Sequence, residues 1–540
     1  MTCGELLVAL LQDLGVELVF GIPGVHTVEL YRGLPATRIR HITPRHEQGA
    51  GFMADGYARV SGKPGVCFTI TGPGVTNIIT AMAQAYADSI PMLVISSVNR
   101  THELGGGGGR LHELPSQREL VAGVSAFSHT LQRPDELPEV LRRAFAVFSA
   151  ARPRPVHIEI PIDIITATAD HVSRELGSAA SRAAPAPQAI AAAARLLGAA
   201  SQPLLLLGGG AVDAGESATR VAEQLDAPTA VTINAKGLLP YGHPLALGSN
   251  QSLPPVRALA AQADVLLAVG TELGETDYDV VFDGGFRIDG KLIRIDIDAL
   301  QLQRNHAADI AVLGDARLSL EALGAALAHE PARPHGADSP GSRRAAAARR
   351  ELQDQWPAGW DAQRRLLQLV QETLPEVIIV GDSTQPVYSG NHSYEARRPR
   401  SWFNSATGYG TLGYGLPAAI GARLAAPARP VIALIGDGGI QFTLAELGSA
   451  VEAATPIIVL LWNNHGYGEI KRYMEARAIE PLGVDIHTPD FLGIARAFGW
   501  EAVRAQDLAQ LQGHLQAAVG RTGPTLIEIM EDGPTAFHPT

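Results

Sequence analysis

The chain has 540 residues, 46% hydrophobic and 18% charged, a composition that excludes extended disorder and predicts about three buried domains. Its 43 basic and 55 acidic side chains leave a net charge of −12, which disfavours nucleic acid and anionic membranes as partners. The cysteines, Cys3 and Cys67, are too few for a disulfide framework, and no apolar run reaches the ~18 residues of a membrane span, so we predict a cytoplasmic protein.

Along the chain, short β-branched runs alternate with helical patterns in three successive stretches, and each stretch predicts a mainly parallel sheet flanked by helices. The fold class is therefore α/β with three domains, at residues 1–170, 186–332 and 355–540. Residues 174–188 and 332–350, rich in Ala, Ser, Pro or Arg, are predicted linkers. The predicted strands are 65–71, 91–97 and 155–161, then 203–210, 264–270 and 291–298, and finally 376–382, 430–439, 456–464 and 525–531.

In the first domain, residues 43–59 (TPRHEQGAGFMADGYAR) place one glutamate, Glu47, among small and apolar residues. A lone carboxylate in a core is costly unless a partner or a ligand requires it. Two interpretations stay open at this point. Glu47 forms a buried ion pair with Arg45 or Arg59, or it faces a ligand.

In the third domain, two predicted strands end in polar residues, Asp437 in IGDGG and Asn464 in LWNNHGYG. Adjacent parallel strands end at the same edge of a sheet, so a carboxylate and an amide oxygen are expected side by side, as Mg²⁺ prefers. Gly438 and Gly439 begin the following helix, where backbone N–H groups can approach a phosphate. A plain glycine turn followed by an asparagine cap is the alternative interpretation.

These two motifs resemble the diphosphate-binding signature of thiamine diphosphate (ThDP) enzymes. Other motifs of that family occur here in the same order: the segment around Glu47 and residues 71–96, 152–163 and 408–422. The resemblance is closest to the acetolactate synthase and 2-oxo acid decarboxylase branch of the family. The resemblance implies the ThDP-binding fold, with pyrimidine, central and diphosphate domains, and ThDP and Mg²⁺ as cofactors. It also implies that Glu47 hydrogen-bonds the cofactor's pyrimidine and that Leu412 supports its bent conformation. The implied cofactor-binding residues are Pro23, Thr71, Asn77, Gly410, Leu412, Gly436, Asp437, Gly438, Gly439, Asn464 and Gly466, and the implied metal ligands are Asp437, Asn464 and Gly466.

The same resemblance bears on the reaction. Family members decarboxylate a 2-oxo acid and then either protonate the product carbon or join it to a second carbonyl. Val25 borders the implied substrate site where several decarboxylases carry an acidic or hydroxyl side chain, and His26 and His112 are the implied catalytic residues. Residues 270–285 lack the Arg-Phe-Asp-Asp-Arg segment of the synthases, which makes FAD doubtful. A decarboxylase is favoured, and a synthase-type carboligase stays open. A non-catalytic binding protein is disfavoured because Glu47, Asp437, Asn464 and Leu412 are all present.

Glu469 follows Asn464 by five residues, where related decarboxylases have an apolar residue in the substrate pocket. A carboxylate there suits a guanidinium, with which it can pair in bidentate fashion. The alternative is an i,i+3 partner for Arg472 on a solvated helix face. Residues 381–388 (GDSTQPVY) resemble the 5-guanidino-2-oxopentanoate (2-ketoarginine) decarboxylases, which favours a cationic 2-oxo acid as the substrate.

The resemblance finally implies an oligomer. In the family, the glutamate of one subunit faces the cofactor held by the third domain of its neighbour. We therefore expect a homodimer or homotetramer in which Glu47 of one chain and Asp437 of another act on one cofactor.

Overall fold

The structure is a computed structural model that describes residues 1–280, 282–334 and 336–531. Contacts divide the chain into two compact units. The first contains residues 1–180, 377–384 and the described residues from 404 onward; the second contains the described residues of 181–376 and 385–403. None of the described helices is long and apolar enough to cross a membrane. The predicted domain ranges stay a prediction beside this division.

The N-terminal part of the first unit contains six parallel strands: β1 (Leu18–Gly21), β2 (Arg40–Ile42), β3 (Gly65–Thr69), β4 (Met92–Val98), β5 (Phe127–Thr130) and β6 (Val156–Pro161). Their order in the sheet is β2-β1-β3-β4-β6-β5. The three predicted strands correspond to β3, β4 and β6, which are buried along their whole length because helices cover a parallel sheet on both faces. The other three are three or four residues long, too short for a periodic signal.

Helices of this part are α1 (Cys3–Asp13), α2 (Val28–Tyr31), α3 (Glu47–Ser61), α4 (Pro73–Ala87), α5 (Gln117–Ala122), α6 (Leu137–Ala150) and α7 (Ile162–Ile165). Both α3 and α4 begin at the carboxyl edge of the sheet. The first, α3, is capped by the His46 ring, which accepts from the Gln48 N–H, and α4 starts with a proline, whose missing N–H costs nothing at that position.

The second unit contains five parallel strands: β7 (Leu204–Leu207), β8 (Thr229–Val231), β9 (Val265–Val269), β10 (Lys291–Asp296) and β11 (Ile310–Leu313), in the order β11-β10-β9-β7-β8. Its helices are α8 (Pro187–Ala199), α9 (Gly215–Leu225), α10 (Pro254–Gln262), α11 (Glu275–Tyr278), α12 (Ala316–Leu327), α13 (Pro340–Gln355), α14 (Asp361–Thr373) and α15 (Gln385–Ser393). Apolar side chains on both faces of the sheet form its core.

The prediction of a linker at residues 332–350 is wrong over most of that range, because helix α13 begins at Pro340. Ser339 caps the helix by accepting from the Ser342 N–H, and the alanines and arginines that follow are strong helix formers. The composition of this range therefore suggested a linker where the chain forms a helix. His335, in the same range, lies outside the described residues.

The C-terminal part of the first unit contains β12 (Ile378–Gly381), β14 (Val431–Gly436), β15 (Ile458–Asn463), β16 (Glu501–Arg504) and β17 (Thr525–Met530), in the order β12-β14-β15-β17-β16, while β13 (Trp402–Asn404) spans the boundary between the units. Its helices are α16 (Gly415–Ala425), α17 (Asp437–Ile440), α18 (Glu446–Glu452), α19 (Gly468–Glu475), α20 (Phe491–Ala497) and α21 (Leu508–Val519). The four predicted strands of the third domain correspond to β12, β14, β15 and β17, and the predicted α/β class with three parallel sheets is confirmed.

Candidate active site

Asp437 and Asn464 lie side by side at the carboxyl ends of β14 and β15, which are parallel neighbours with Gly436 beside Trp462. The Asn464 N–H donates to Oδ1 of Asp437 at 3.3 Å. Burial raises the pKa of the Asp437 carboxyl, while the backbone N–H groups of Asn464 and Gly466 lower it. Its second oxygen, Oδ2, is buried without a hydrogen-bond partner among the described residues. This carboxylate therefore lacks the partner that its burial requires.

The side-chain amide of Asn464 lies beside two other oxygen atoms of this corner. Its oxygen lies 2.9 Å from the carbonyl oxygen of Gly466 and 3.1 Å from Oδ1 of Asp437, so it faces only acceptors. Rotating the amide would convert these contacts into hydrogen bonds, and a cation among the oxygens would satisfy them equally well. One carboxylate, one amide oxygen and one carbonyl oxygen form the donor set of Mg²⁺. The residues therefore fit the predicted metal. The described residues contain no group of three or more His, Cys, Asp or Glu that could hold a metal ion, and two of the three donors proposed here are instead an amide oxygen and a backbone carbonyl oxygen.

Glycines next to Asp437 and Asn464 occupy positions where a side chain would contact neighbouring atoms. A Cβ at Gly466, whose φ is +149°, would lie 2.4 Å from the carbonyl oxygen of Val484. A Cβ at Gly438 would lie 2.7 Å from the Tyr467 ring. With Gly436 buried at the end of β14, α17 thus begins in a narrow space that larger residues would fill.

Glu47 is the first residue of α3 and is 8% exposed. Its Oε2 accepts a hydrogen bond of 2.9 Å from Nδ2 of Asn77 on α4, and its Oε1 makes no hydrogen bond within the described residues. The helix N-terminus favours its negative charge. The alternative of an ion pair is wrong, because Arg45 pairs with Glu452 and Arg59 with the buried Asp55.

Space is left at the free oxygen of Glu47. A Cβ at Gly74, in the first turn of α4, would lie 3.3 Å from Oε1. Thr71, just before this turn, is buried, and its hydroxyl donates to Oε1 of Gln117 at 3.0 Å. The predicted cofactor residues Thr71 and Asn77 thus lie on the elements that hold Glu47.

His26 and His112 come together, although 86 residues separate them in the sequence. Their rings meet edge to face with centroids 5.5 Å apart, and Nδ1 of each is buried without a partner among the described residues. Burial lowers the pKa of His26, the neighbouring His112 lowers it further, and Glu103 raises it. Pro23 and Val25, which precede His26, are exposed.

The segment that carries Gly410 and Leu412 is held by side chains of the same unit. The Thr407 hydroxyl donates to Asp88 at 3.0 Å, and the Tyr414 hydroxyl bonds to the buried Asp55. Gly410 has a φ of +77°, which favours glycine at the turn, and Leu412 is half-buried.

Asp382, directly after β12, is a candidate residue that the sequence prediction missed. Its Oδ2 accepts from the Gly415 N–H at 3.0 Å and its Oδ1 from the Ser383 N–H at 2.7 Å. A Cβ at Gly439 would lie 3.2 Å from Oδ1, so Asp382 lies between the Leu412 segment and α17. Burial raises its pKa to about 6, against these backbone N–H groups. The available signal was an acidic residue at a strand end, as for Asp437.

Glu469 lies on α19, a helix without buried residues. Nη2 of Arg472 donates to it at 3.2 Å, and both side chains are about half exposed. This is the geometry of the i,i+3 alternative, within a single chain.

Glu47 and Asp437 are not hydrogen-bonded to each other within one chain. In the part of the chain that the structure describes, each bonds only to the partners given above.

Family models for thiamine pyrophosphate (another name for ThDP) enzymes match the chain in three places: the N-terminal TPP binding domain at residues 1–121, the central domain at 190–323 and the C-terminal TPP binding domain at 382–529. A probable 2-ketoarginine decarboxylase of Pseudomonas aeruginosa is 48% identical over 536 residues, which cover 98% of this chain and 94% of the relative.

Two synthases are also similar along the whole chain. The large subunit of acetolactate synthase isozyme 1 of Escherichia coli is 33% identical over 556 residues, covering 100% of this chain and 95% of the relative. A probable acetolactate synthase large subunit of Methanocaldococcus jannaschii is 30% identical over 559 residues, covering 99% and 93%. The similarity thus extends over all three sheets.

Proposed function

The chain belongs to the thiamine diphosphate enzymes, and from that premise we propose that it catalyses the non-oxidative decarboxylation of a 2-oxo acid with a guanidino side chain. The reaction takes up one proton and converts the 2-oxo acid into an aldehyde and CO₂. Support for the cationic substrate comes from the similar 2-ketoarginine decarboxylase.

Bound ThDP would supply the electron sink for cleavage of the bond to CO₂. Asp437, Asn464 and the Gly466 carbonyl would hold Mg²⁺, and the backbone around Gly438 and Gly439 would face the diphosphate. Glu47 would hold a proton at Oε1, its free oxygen, toward N1′ of the pyrimidine. The free Oε1 and the hydrogen bond from Asn77 to Oε2 support this role.

The His26–His112 pair is the single observation that carries decarboxylation rather than carboligation. An aldehyde forms only if a proton reaches the carbon that has lost CO₂. Two adjacent imidazoles with unpartnered Nδ1 atoms would supply this proton. Glu469 and Val25 remain proposed substrate contacts, on the strength of the family resemblance.

An acetolactate synthase-type carboligase is the second candidate, favoured by the synthases that are 30% to 33% identical. Incubation of the protein with ThDP, Mg²⁺ and a panel of 2-oxo acids separates the two. We expect equal amounts of CO₂ and aldehyde, and the highest kcat/KM for 5-guanidino-2-oxopentanoate. A 2-hydroxy-2-oxo acid or acyloin as the main product would overturn the proposal in favour of the carboligase.

We also propose a homodimer or homotetramer in the cytoplasm. Family resemblance supports the assembly. The location is supported by Cys3 and Cys67, both buried and free.

A further inference from the structure

The proposed substrate carries its reactive 2-oxo group at one end and a guanidinium at the other, with three methylene groups between them. We infer that Glu103 binds this guanidinium, an inference that rests on the function proposed above. Glu103 ends the short helical turn Thr101–Glu103 that follows β4. Its side chain is 13% exposed, and its Oε2 accepts from the Arg100 N–H at 3.3 Å.

Glu103 is close to the proposed proton donors. Its Oε1 contacts Arg110, which precedes His112 by two residues, and the His112 ring in turn contacts the ring of His26. In agreement with this geometry, the Glu103 carboxylate raises the pKa of His26, against burial and the charge of His112, which lower it. A 2-oxo acid that receives its proton from this pair has its reactive carbon there. The guanidinium is only three methylene groups away from this reactive end, so it also lies near the two histidines. Glu103 supplies a negative charge in that region.

Glu103 already holds a guanidinium of its own chain. Nε of Arg110 lies 3.4 Å from Oε1 of Glu103, and the Arg110 side chain is 56% exposed. Arg110 has the same functional group as the substrate tail, so a carboxylate that pairs with the one guanidinium has the charge and the acceptor atoms to pair with the other. An ion pair with so exposed a partner contributes little to stability, so its replacement by a ligand costs little.

The chain next to Arg110 is suited to such a replacement. Residues 105–109 are five consecutive glycines, and Gly105, Gly107 and Gly109 have φ values of +68°, +64° and +69°. Glycine moves between left- and right-handed conformations at low cost, so Arg110 can leave Glu103 without straining the backbone. Substrate and Arg110 thus compete for one carboxylate.

Glu113 offers a matched control. It lies in the same loop, but its carboxylate accepts the backbone N–H groups of Arg110, at 2.8 Å, and Gly108, at 3.3 Å. Its role is to shape the loop. Glu469 is the competing candidate for the substrate tail, and it is bonded to Arg472 within its own helix.

The experiment compares kcat/KM for 5-guanidino-2-oxopentanoate with kcat/KM for the uncharged 2-oxohexanoate, in the enzyme loaded with ThDP and Mg²⁺. In Glu103→Gln we expect the ratio of the cationic to the uncharged substrate to fall at least about thirtyfold, mainly through KM. Arg110→Ala should leave the ratio unchanged or raise it, because a competitor is removed. Glu113→Gln should change both substrates equally.

Several results would overturn the assignment of Glu103. One is a ratio of kcat/KM for the two substrates in Glu103→Gln that stays within about threefold of the wild-type ratio. Another is a fall of this ratio in Arg110→Ala as large as that in Glu103→Gln, which would show that the Glu103–Arg110 ion pair has a structural role. A fall in Glu469→Gln alone would move the tail to that residue. If the wild type forms no aldehyde from either substrate, the proposed function itself fails, which is a different outcome.

A binding measurement keeps the inference testable if Glu103→Gln is unstable. The wild type loaded with ThDP and Mg²⁺ should bind 4-guanidinobutanoate, which has no 2-oxo group and cannot react, more tightly than pentanoate in calorimetry. Glu103→Asp, a milder change, should reduce this difference, and Arg110→Ala should not. Equal binding of the two acids by the wild type would contradict the inference.

Discussion

At the scale of single residues, Glu47 combines a buried position with one free oxygen. Glu47→Gln should retain the hydrogen bond from Asn77, because an amide oxygen can also accept it, while the proton exchange at Oε1 is lost. We expect kcat to fall by roughly 10² to 10⁴, the usual size of such a proton-transfer contribution, with ThDP affinity little changed. Steady-state kinetics and ThDP calorimetry measure the two quantities. Glu452→Gln, at the exposed partner of Arg45, is the control and should leave both unchanged; unaltered turnover in Glu47→Gln would remove Glu47 from the mechanism.

Asp437 has a different expected effect, because it is the one carboxylate among the proposed metal ligands. In Asp437→Ala the oxygen cluster loses its charge, and we expect affinity for Mg²⁺ and ThDP together to fall at least about tenfold. Calorimetry at several Mg²⁺ concentrations measures this, and high Mg²⁺ should recover part of the binding. Asp485→Ala, which removes an exposed aspartate paired with Lys471, should bind normally. Normal ThDP affinity in Asp437→Ala would exclude Asp437 as a metal ligand.

At the scale of elements, Asp382 joins the end of β12 to the start of α16 through the Gly415 N–H. Burial raises its pKa from 3.8 to about 6, so between these pH values the folded protein holds more protons than the unfolded chain. The contribution of Asp382 to folding stability therefore falls as pH rises from about 4 to about 6, by at most about 3 kcal/mol, and is constant above that.

Asp382→Asn does not titrate, so the variant should lack this component of the pH dependence. The quantity to compare is the difference in melting temperature between the ThDP-free wild type and the variant (wild type minus variant). We expect this difference to decrease as the pH rises from 4.5 to 7. Asp361→Asn, at a half-exposed position of α14, serves as the control. A difference in melting temperature that does not vary with pH would show that Asp382 does not titrate in this range.

The elements also explain what could be predicted from the sequence. Long apolar runs such as those of β14 and β15 identify buried strands, and the polar residues at their ends identified Asp437 and Asn464. Helix α13 was missed because its alanines and arginines also suit a linker. Asp382 offered the same strand-end signal as Asp437, but its hydrogen bond from the Gly415 N–H, 33 residues away, depends on the fold. The contact between the His26 and His112 rings, beside which Glu103 lies, also depends on the fold.

At the scale of the whole molecule, no hydrogen bond among the described residues joins Glu47 to Asp437. Glu47 and Asp437 bond to different partners, and apolar side chains on α19 and shortly after it are exposed: Ile470 is 55% exposed, Tyr473 57% and Leu482 84%. Exposed apolar surface of this kind is typical of an interface. A second copy of the chain is the partner that the family resemblance implies.

Mixing two inactive variants tests whether the site is shared between chains. If Glu47 of one chain and Asp437 of its neighbour serve one cofactor, a mixed dimer of Glu47→Gln and Asp437→Ala chains has one site with both defects and one site with both residues intact. Random exchange makes half of the dimers mixed, so activity should recover to about a quarter of the wild-type value. If both residues acted within one chain, every site would keep one defect and no activity would return. Exchange is verified by native mass spectrometry with one variant isotopically labelled, and complete exchange without recovery would contradict a shared site.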